Sequence, residues 1–435
     1  MIGLPLATAL GLAAIIGAGI FVLSGTAIAI AGSYAIVAFV LVGIVALIVA
    51  LEFGELCSMF PNLRGASYSY VYEAFGSELS FITGIIIFFS GATSISVVAL
   101  GFGSYLATLI GPGAAAYVMP VAIALIAVIA IVNILGAKKA AEADLGLVIT
   151  KILILMLFIG FAMYFALGTG HFAVTNFAMP GSKIGITVIF SASIAIFFAY
   201  SGFGTISTLT AEVRGGSRTA VKAMVLAVMI SLVLYTTIVF SLMLLAPASS
   251  YKIAADPFAF ALSSAGAPSW LSVAIDIGAM VATASAAVAM MLSASRTVYQ
   301  MGADGLLPSI TKKFNKDTDS AVNGVIISSV IAFFMLFAGN IFVIAAVSSF
   351  GLLFAYLMVS LAVIHFRRTK RAAAFRMPLY PYLTVVAIVI LLAFMTGIPR
   401  EALIVGVILI IVLLGTYYLL REMRFKRVIR IRIFK

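Results

Sequence analysis

The stretch that decides the fold is "IIGAGIF", residues 15–21, which interrupts an apolar segment near the start of the chain. A second interruption, "FFAYSGFGTI" (residues 197–206), lies at a similar depth in the sixth apolar segment. In membrane helices, small residues most often allow neighbouring helices to approach closely, and a single interruption would favour that interpretation. Because the two interruptions lie five segments apart, at corresponding places, they favour a pair of unwound helices instead.

The composition places these segments in a lipid bilayer. Of the 435 residues, 64% are hydrophobic and 9% are charged, whereas a soluble domain has roughly 25% charged residues. Apolar stretches of about 20 residues, the length that crosses the hydrocarbon core as a helix, recur throughout the chain. We therefore predict an all-α polytopic membrane protein with twelve transmembrane helices. The expected spans are residues 6–31, 34–59, 79–110, 116–136, 145–168, 185–210, 220–246, 269–300, 321–338, 341–366, 379–397 and 401–421.

The net charge of +12 is distributed unevenly between the two ends of these spans. If the N-terminus is cytoplasmic, most basic residues fall inside, as the positive-inside rule requires. This predicts a multi-pass protein of the cell membrane with both termini in the cytoplasm. The basic tail, residues 421–435, is expected to bind anionic lipid headgroups rather than nucleic acid. The basic residues expected inside are Arg64, Lys138, Lys139, Arg214, Arg218, Lys222, Arg296, Lys312, Lys313, Lys316, Arg367, Arg368, Lys370, Arg371, Arg376 and the tail, and those outside are Lys183, Lys252 and Arg400.

The spacing of the two interruptions predicts how the spans are organised. Five is odd, so a second unit of five spans enters the bilayer from the opposite face, and the two units are inverted repeats. We expect the first repeat at residues 1–170, the second at 171–370, and two additional helices with the basic tail at 371–435. Interrupted spans in such halves are typical of a transporter site, because unwinding leaves backbone groups at the midplane without helical partners.

Those backbone groups predict what the site binds. Amide N–H groups at a half-helix N-terminus suit a carboxylate, and carbonyls freed by the breaks suit an ammonium, so the site fits an α-amino acid. Its surroundings are apolar and aromatic, which favours a neutral substrate side chain. The predicted substrate-binding residues are Ile15, Gly17, Ala18, Gly19, Phe198, Ala199, Tyr200 and Ser201, with Phe197 and Phe198 as a gate.

Three short segments add a family resemblance. They are "ALEFGELCSMFPNLRGASYSYVYEAFG" (50–76), "FFAYSGFGTISTLTAEVRGGSRTAVKA" (197–223) and "SASRTVYQMGADGLLP" (293–308). Together with "IGAGIF", they resemble the amino acid/polyamine/organocation superfamily of permeases over about the first ten helices, and the whole chain resembles archaeal, proton-coupled members of broad amino acid specificity. The resemblance implies two inverted five-helix repeats plus two peripheral helices, and secondary transport of amino acids. The chain departs from many members at Gly204, where they carry an acidic residue, and at Gly215 and Gly216, where they carry Asn-Pro.

Lys151 is a single basic residue in the apolar run "GLVITKILILMLF", residues 146–158. It lies seven residues beyond Asp144, about 10 Å into the bilayer. One interpretation is that the side chain snorkels to the interface. The other is that it faces the interior and marks a proton path, since burial disfavours the charged amine. In sodium-coupled relatives of this fold, a cation lies between the broken first span and the eighth span, so the resemblance implies that the Lys151 amine replaces it. The expected acceptors are Ala13, Ile16, Thr283 and Ser285.

The remaining alternatives concern coupling and class. We expect H⁺ as the coupling ion and no other cofactor or metal, because no metal-ligand spacing, activated nucleophile or phosphate loop is present in the sequence. An enzyme is therefore disfavoured. A channel is disfavoured because the sequence has no repeated pore loop or ring of like charges. Glu52 and Glu55 are interpreted as a solvated helix end near Arg64, although Glu55 and Asp276 are the next candidates for coupling if Lys151 is not the carrier. An amino acid exchanger and an amino-acid-binding membrane sensor stay open beside the symporter.

Overall fold

A computed structural model describes residues 2–63, 66–111, 113–168, 174–177, 185–208, 210–315, 317–318 and 320–433. Within these ranges, side chains are described except at residues 18, 66, 136–146, 174–175, 208, 416 and 419–433. The basic residues Arg64, Lys138, Lys139, Lys183 and Lys316, the side chains of the tail, and the predicted repeat boundary at 170–171 therefore lie outside the description.

The described residues are almost entirely helical. Apart from short 3₁₀ turns, they form fifteen α-helices and two isolated β-bridges. The helices are α1 (Leu4–Ile15), α2 (Ala18–Ala31), α3 (Tyr34–Met59), α4 (Ala66–Phe75), α5 (Ser77–Ile110), α6 (Val118–Gly168), α7 (Ile186–Ala199), α8 (Thr205–Thr208), α9 (Gly216–Leu245), α10 (Pro257–Ser264), α11 (Ser269–Ala303), α12 (Val322–Met335), α13 (Ile341–Arg368), α14 (Tyr382–Met395) and α15 (Arg400–Ile433). The prediction of an all-α protein is confirmed for this part of the chain.

The helices have the length and composition of membrane spans. In the described residues, seven helical stretches, two of them in or beside α6, are long and apolar enough to cross a bilayer, or up to nine if each of two bent helix pairs is one span. The two pairs are α1 with α2, bent by 49°, and α14 with α15, bent by 114°. Two further predicted spans correspond to the 14-residue apolar helices α7 and α12. The protein is therefore a polytopic helical membrane protein, and the number twelve stays a prediction.

The surface of the helices is compatible with lipid on their outward faces. Leu135, Leu167, Val233 and Phe334 each expose between 67% and 74% of their surface. A soluble protein rarely exposes many large apolar side chains together, whereas hydrocarbon is the natural environment for them. The polar and charged side chains that matter for the site are instead buried between helices.

The connection between the predicted fourth and fifth spans is helical in the structure. Helix α6 continues from Val118 to Gly168 through the connection "GAKKAAEADLG", residues 136–146. Ala, Lys, Glu and Leu are among the strongest helix formers, so a polar connection of this composition stays helical. Two apolar stretches within and just before α6, Ala114–Leu135 and Leu147–Gly168, are each long enough to be a span.

The first and sixth apolar segments run in opposite directions. The backbone of Ile2, just before α1, pairs with the segment after α8: its N–H donates to Glu212 O and its carbonyl accepts from Arg214 N, both at 2.8 Å. The first segment therefore begins on the face where the sixth segment ends. Inverted repeats require this antiparallel relation, although the full repeat layout stays a prediction.

Candidate functional site: two broken helices and a buried lysine

The first break separates α1 from α2 at Ile16 and Gly17. The N–H of Gly17 donates to Ile15 O at 2.8 Å, whereas a continuous α-helix would direct it to the carbonyl of Ala13. The Ala13 carbonyl therefore loses its helical donor. Helix α2 then begins without a side-chain cap, so its first amides point into the break, as the predicted carboxylate site at Gly17, Ala18 and Gly19 requires.

The second break lies between α7 and α8. After Ala199 the chain makes a tight turn in which Tyr200 N donates to Phe197 O at 3.3 Å and Ser201 N to Phe198 O at 3.2 Å. The Ser201 hydroxyl also donates to the Phe198 carbonyl, at 2.8 Å. Gly202 has φ +112°, a left-handed conformation that glycine adopts without strain. The sixth apolar segment is therefore not one continuous helix between Ala199 and Thr205.

The structure brings the two breaks together. A Cβ placed on Gly19 would lie 2.2 Å from Ala199 Cα, and a Cβ on Gly202 would lie 2.3 Å from the Ala14 carbonyl oxygen. Each glycine therefore permits a backbone-to-backbone contact between one broken helix and the other. Close packing and a binding site are thus not alternatives here, because the packing is what places the two sets of backbone groups side by side.

Tyr235 on α9 secures the first break and was not anticipated from the sequence. It is fully buried, and its hydroxyl donates to the Ile15 carbonyl at 2.8 Å. Its ring packs on that of Tyr200, with centroids 5.2 Å apart, and the Tyr200 hydroxyl donates to Phe39 O at 3.3 Å. Only a weak signal for this contact is present in the sequence. A tyrosine in a span usually needs a buried hydrogen-bond partner, but which residue becomes that partner depends on tertiary packing.

An aromatic layer lies directly beyond the first break. Phe21 of α2 packs on Phe258 of α10 with centroids 5.1 Å apart, and Phe258 packs on Phe158 of α6 at 4.5 Å. All three rings are buried. Phe258 lies in the connection between two predicted spans, so the sequence gives no periodic signal for it. These rings close the site on the α10 side.

The two predicted gate residues have different surroundings. Phe197 packs on Tyr356 of α13 and Phe394 of α14, with centroids 5.6 and 6.2 Å apart, which ties α7 to those helices. Phe198 is also buried, at 1% exposure, and its carbonyl takes part in the second break. A gating role therefore fits Phe198 better than Phe197, and for both it stays a prediction.

Lys151 is fully buried on α6, with 0% of its surface exposed. Helix α6 packs against α1, α9 and α11, so the side chain is enclosed by protein rather than extended along lipid to the interface. This geometry favours the interior-facing interpretation over snorkelling. On α11, the expected partners Thr283 and Ser285 are buried as well, and the Thr283 hydroxyl donates to the carbonyls of Ala279 and Met280 at 2.8 and 2.9 Å.

Glu52 and Glu55 correct the prediction of a solvated helix end. Both side chains are fully buried. Glu55 Oε2 accepts from Arg367 Nη2 at 2.7 Å and from Met377 N at 2.9 Å, and Arg367 Nε lies 2.5 Å from Glu55 Oε1. The sequence could not reveal this, because Arg367 at the end of α13 and Met377 in the segment before α14 are more than 300 residues away.

The segments that carried the family resemblance contact one another. Tyr68 of α4 donates its hydroxyl to Asp304 Oδ2 at 2.8 Å, and Gln300 Nε2 donates to Asp304 Oδ1 at 3.0 Å. Burial, and then the hydrogen bond to the Asp304 carboxylate, raises the pKa of the Tyr68 hydroxyl, so it remains a donor. These motif residues join α4 to the end of α11, away from the two breaks. Within the described residues, no three His, Cys, Asp or Glu side chains are placed to hold a metal ion.

Two oppositely directed broken helices that meet inside a polytopic helical bundle are typical of a membrane transport protein. Comparison with known proteins gives the family: the chain belongs to the amino acid permease family, whose model matches residues 2–420.

Several curated transporters are similar to the chain over most of its length. A methylthioribose transporter of Bacillus subtilis is 28% identical over 411 residues, which cover 90% of this chain and 87% of that protein. The branched-chain amino acid permease BcaP of Lactococcus lactis is 29% identical over 407 residues, 86% of this chain and 84% of the permease. Cationic amino acid transporter 3 (mitochondrial) of Arabidopsis thaliana is 29% identical over 379 residues, and there the matched region is 83% of this chain but 61% of the longer plant protein.

Proposed function

We propose that this amino acid permease is a proton-coupled symporter of mainly neutral amino acids, of broad specificity, working by alternating access. The observations that carry the proposal are the contact between the two broken helices and the burial of Lys151 on α6, a helix that packs against α1. The Gly19–Ala199 and Gly202–Ala14 contacts bring uncapped amides of α2 next to the carbonyls of the second break. One small molecule with a carboxylate and an ammonium fits both sets of groups.

The lining supports a neutral substrate side chain. Phe21, Phe198 and Tyr200 are buried around the breaks, and a hydrophobic pocket discriminates weakly between apolar side chains of similar size. The relatives named above transport methylthioribose, branched-chain or cationic amino acids, so the family alone does not select a substrate. A broad, neutral preference therefore follows from the lining rather than from any one relative.

The coupling ion in this proposal is H⁺, carried by Lys151. The Ala13 carbonyl, which the break deprives of its helical donor, and the carbonyl of Ile16 are the acceptors proposed for the amine, with Thr283 and Ser285 on α11. A proton gradient drives uphill transport if a group binds H⁺ with different free energies in two conformations. Lys151 is fully buried on α6, which packs against α1 and α11, and opening either side would hydrate its amine.

Orientation in the membrane completes the proposal. The start of α1 pairs with the Glu212–Arg214 segment, and basic residues concentrate on that face, so both termini are proposed to lie in the cytoplasm of a plasma-membrane protein. The helical tail to Ile433 would place its basic residues near anionic lipid headgroups.

Reconstitution into liposomes tests the proposal and its rivals. We expect labelled neutral amino acids to enter empty liposomes and to accumulate when the outside is acidic. An exchanger would need amino acid inside the liposomes before uptake begins. A sensor would bind labelled amino acid without moving it, and either result would refute the symporter.

A further inference from the structure

Besides Lys151, an ionisable group is buried where α3 meets α13 and α14, away from the two breaks, and it is the carboxyl group of Glu52. Glu52 and Glu55 are one helical turn apart on α3, and both are fully buried. Among the described residues, the Arg367 guanidinium and the Met377 amide both bind Glu55. Glu55 is therefore satisfied as an anion.

Glu52 has different partners. Its Oε2 lies 2.6 Å from the hydroxyl oxygen of Ser360 on α13. The hydroxyl of Thr384 on α14 also faces the carboxyl group, but it donates to the sulfur of Met377 at 3.5 Å. Glu52 Oε1 has no hydrogen-bond partner among the described residues. Burying an ionised carboxylate in such surroundings is very costly, and the negative Glu55 one turn away adds repulsion.

The hydrogen-bond count around Ser360 points to the protonated acid. The Ser360 hydroxyl also lies 3.1 Å from the Tyr356 carbonyl, and one hydroxyl proton shared between two acceptors binds each of them less strongly. If Glu52 carries a proton, it donates that proton to Ser360 Oγ, and Ser360 donates its own to the Tyr356 carbonyl. Each of the two protons is then donated to a single acceptor.

We propose that Glu52 is a proton-binding site. In this conformation the contact of α3 with α13 and α14 keeps the proton on Glu52, and the proton is released when water enters that contact. On release, the carboxylic acid transfers its proton to water and becomes a carboxylate. Among the described residues, the ionisable side chain that interacts with Glu52 is Glu55 on the same helix, and Ser360 on α13 and Thr384 on α14 contribute uncharged hydroxyl groups. Arg367 on α13 binds Glu55. A role for Glu52 in the transport cycle rests on the proton coupling proposed above. The inference that Glu52 is protonated in this conformation does not depend on that coupling.

Infrared spectroscopy of the purified protein at neutral pH tests the inference without any transport measurement. The parent is compared with Glu52→Gln, which resembles the protonated acid in shape, and with Glu73→Gln, which removes an exposed carboxylate on α4. We expect Glu52→Gln to lose the carbonyl-stretch absorption of one protonated carboxylic acid per chain. Glu73→Gln should keep that absorption and lose carboxylate absorption instead.

The opposite pattern would overturn the proposal: if Glu52→Gln loses carboxylate absorption and keeps the acid band, Glu52 is ionised. Isotope labelling of glutamate carboxyl carbons in the parent keeps the test decisive if Glu52→Gln does not fold. The acid band should shift on labelling, and a band that stays in place excludes a protonated glutamate. Failure of proton-driven uptake with an intact Glu52 band would instead refute the symport mechanism alone.

Discussion

The contact between the two broken helices can be tested by adding a single methyl group at Gly19. In Gly19→Ala the new Cβ would lie 2.2 Å from Ala199 Cα and 2.6 Å from Ala199 Cβ. Non-bonded carbon atoms rest at about 3.5 to 4.0 Å, so α2 and α7 must separate by more than about 1 Å. Such overpacking costs about 1 to 3 kcal/mol, and it displaces the amides of the first break from the carbonyls of the second.

Gly160→Ala is the matched control, because a Cβ at Gly160 on α6 meets nothing within 4 Å. Alanine in a helix interior is favoured over glycine by about 0.5 to 1 kcal/mol, so this variant should unfold at or slightly above the parent temperature. Thermal unfolding in detergent and amino acid uptake in liposomes are measured for both. We expect Gly19→Ala to lose stability and uptake together. Equal behaviour of the two variants would refute the contact as the basis of the site.

Three further substitutions probe individual contacts. Tyr235→Phe removes the hydrogen bond to the first break, worth about 0.5 to 1.5 kcal/mol, and should weaken substrate binding in an equilibrium assay roughly two- to tenfold; unchanged affinity would mean that the hydroxyl serves packing alone. Arg367→Met breaks the buried ion pair with α3 and should lower the free energy of unfolding by about 3 to 5 kcal/mol. The control Arg368→Met, at an exposed position, should have little effect, and an equal loss of unfolding free energy in both variants would contradict this. Phe198→Leu should reduce substrate affinity more than stability, and Phe197→Leu should do the reverse; the opposite order would show that Phe197 is the gate.

The main architecture was predictable from local patterns. The helices were predictable from apolar runs long enough to span a bilayer, because in lipid each run must form its backbone hydrogen bonds within itself. Both interruptions were predictable from the glycine pairs at residues 17–19 and 202–204, because glycine permits close approach of a neighbouring helix or an irregular backbone. The helical connection in α6 could also have been expected from its Ala, Lys and Glu content.

The partners of individual polar side chains were not predictable. Tyr235 reaches Ile15 across 220 residues of sequence, and Glu55 reaches Arg367 across 312. A carboxyl group near a helix end has the same local sequence pattern whether it faces water or an arginine on another helix. Which of the two occurs depends on the tertiary packing of α3 against α13, and a single sequence carries no periodic signal for that contact.

The central claim is that Lys151 couples amino acid movement to H⁺, and proton-driven accumulation in liposomes tests it most directly. Lys151→Met keeps the length of this fully buried side chain without the amine, Lys151→Arg keeps a charge that effectively never deprotonates, and the exposed Lys222→Met is the control. For one proton, a difference of one pH unit can sustain about a tenfold concentration ratio. We predict that the parent and Lys222→Met accumulate amino acid against its gradient, that Lys151→Met exchanges it without accumulation, and that Lys151→Arg does not transport. Accumulation by both Lys151 variants to the level of the parent would contradict the account.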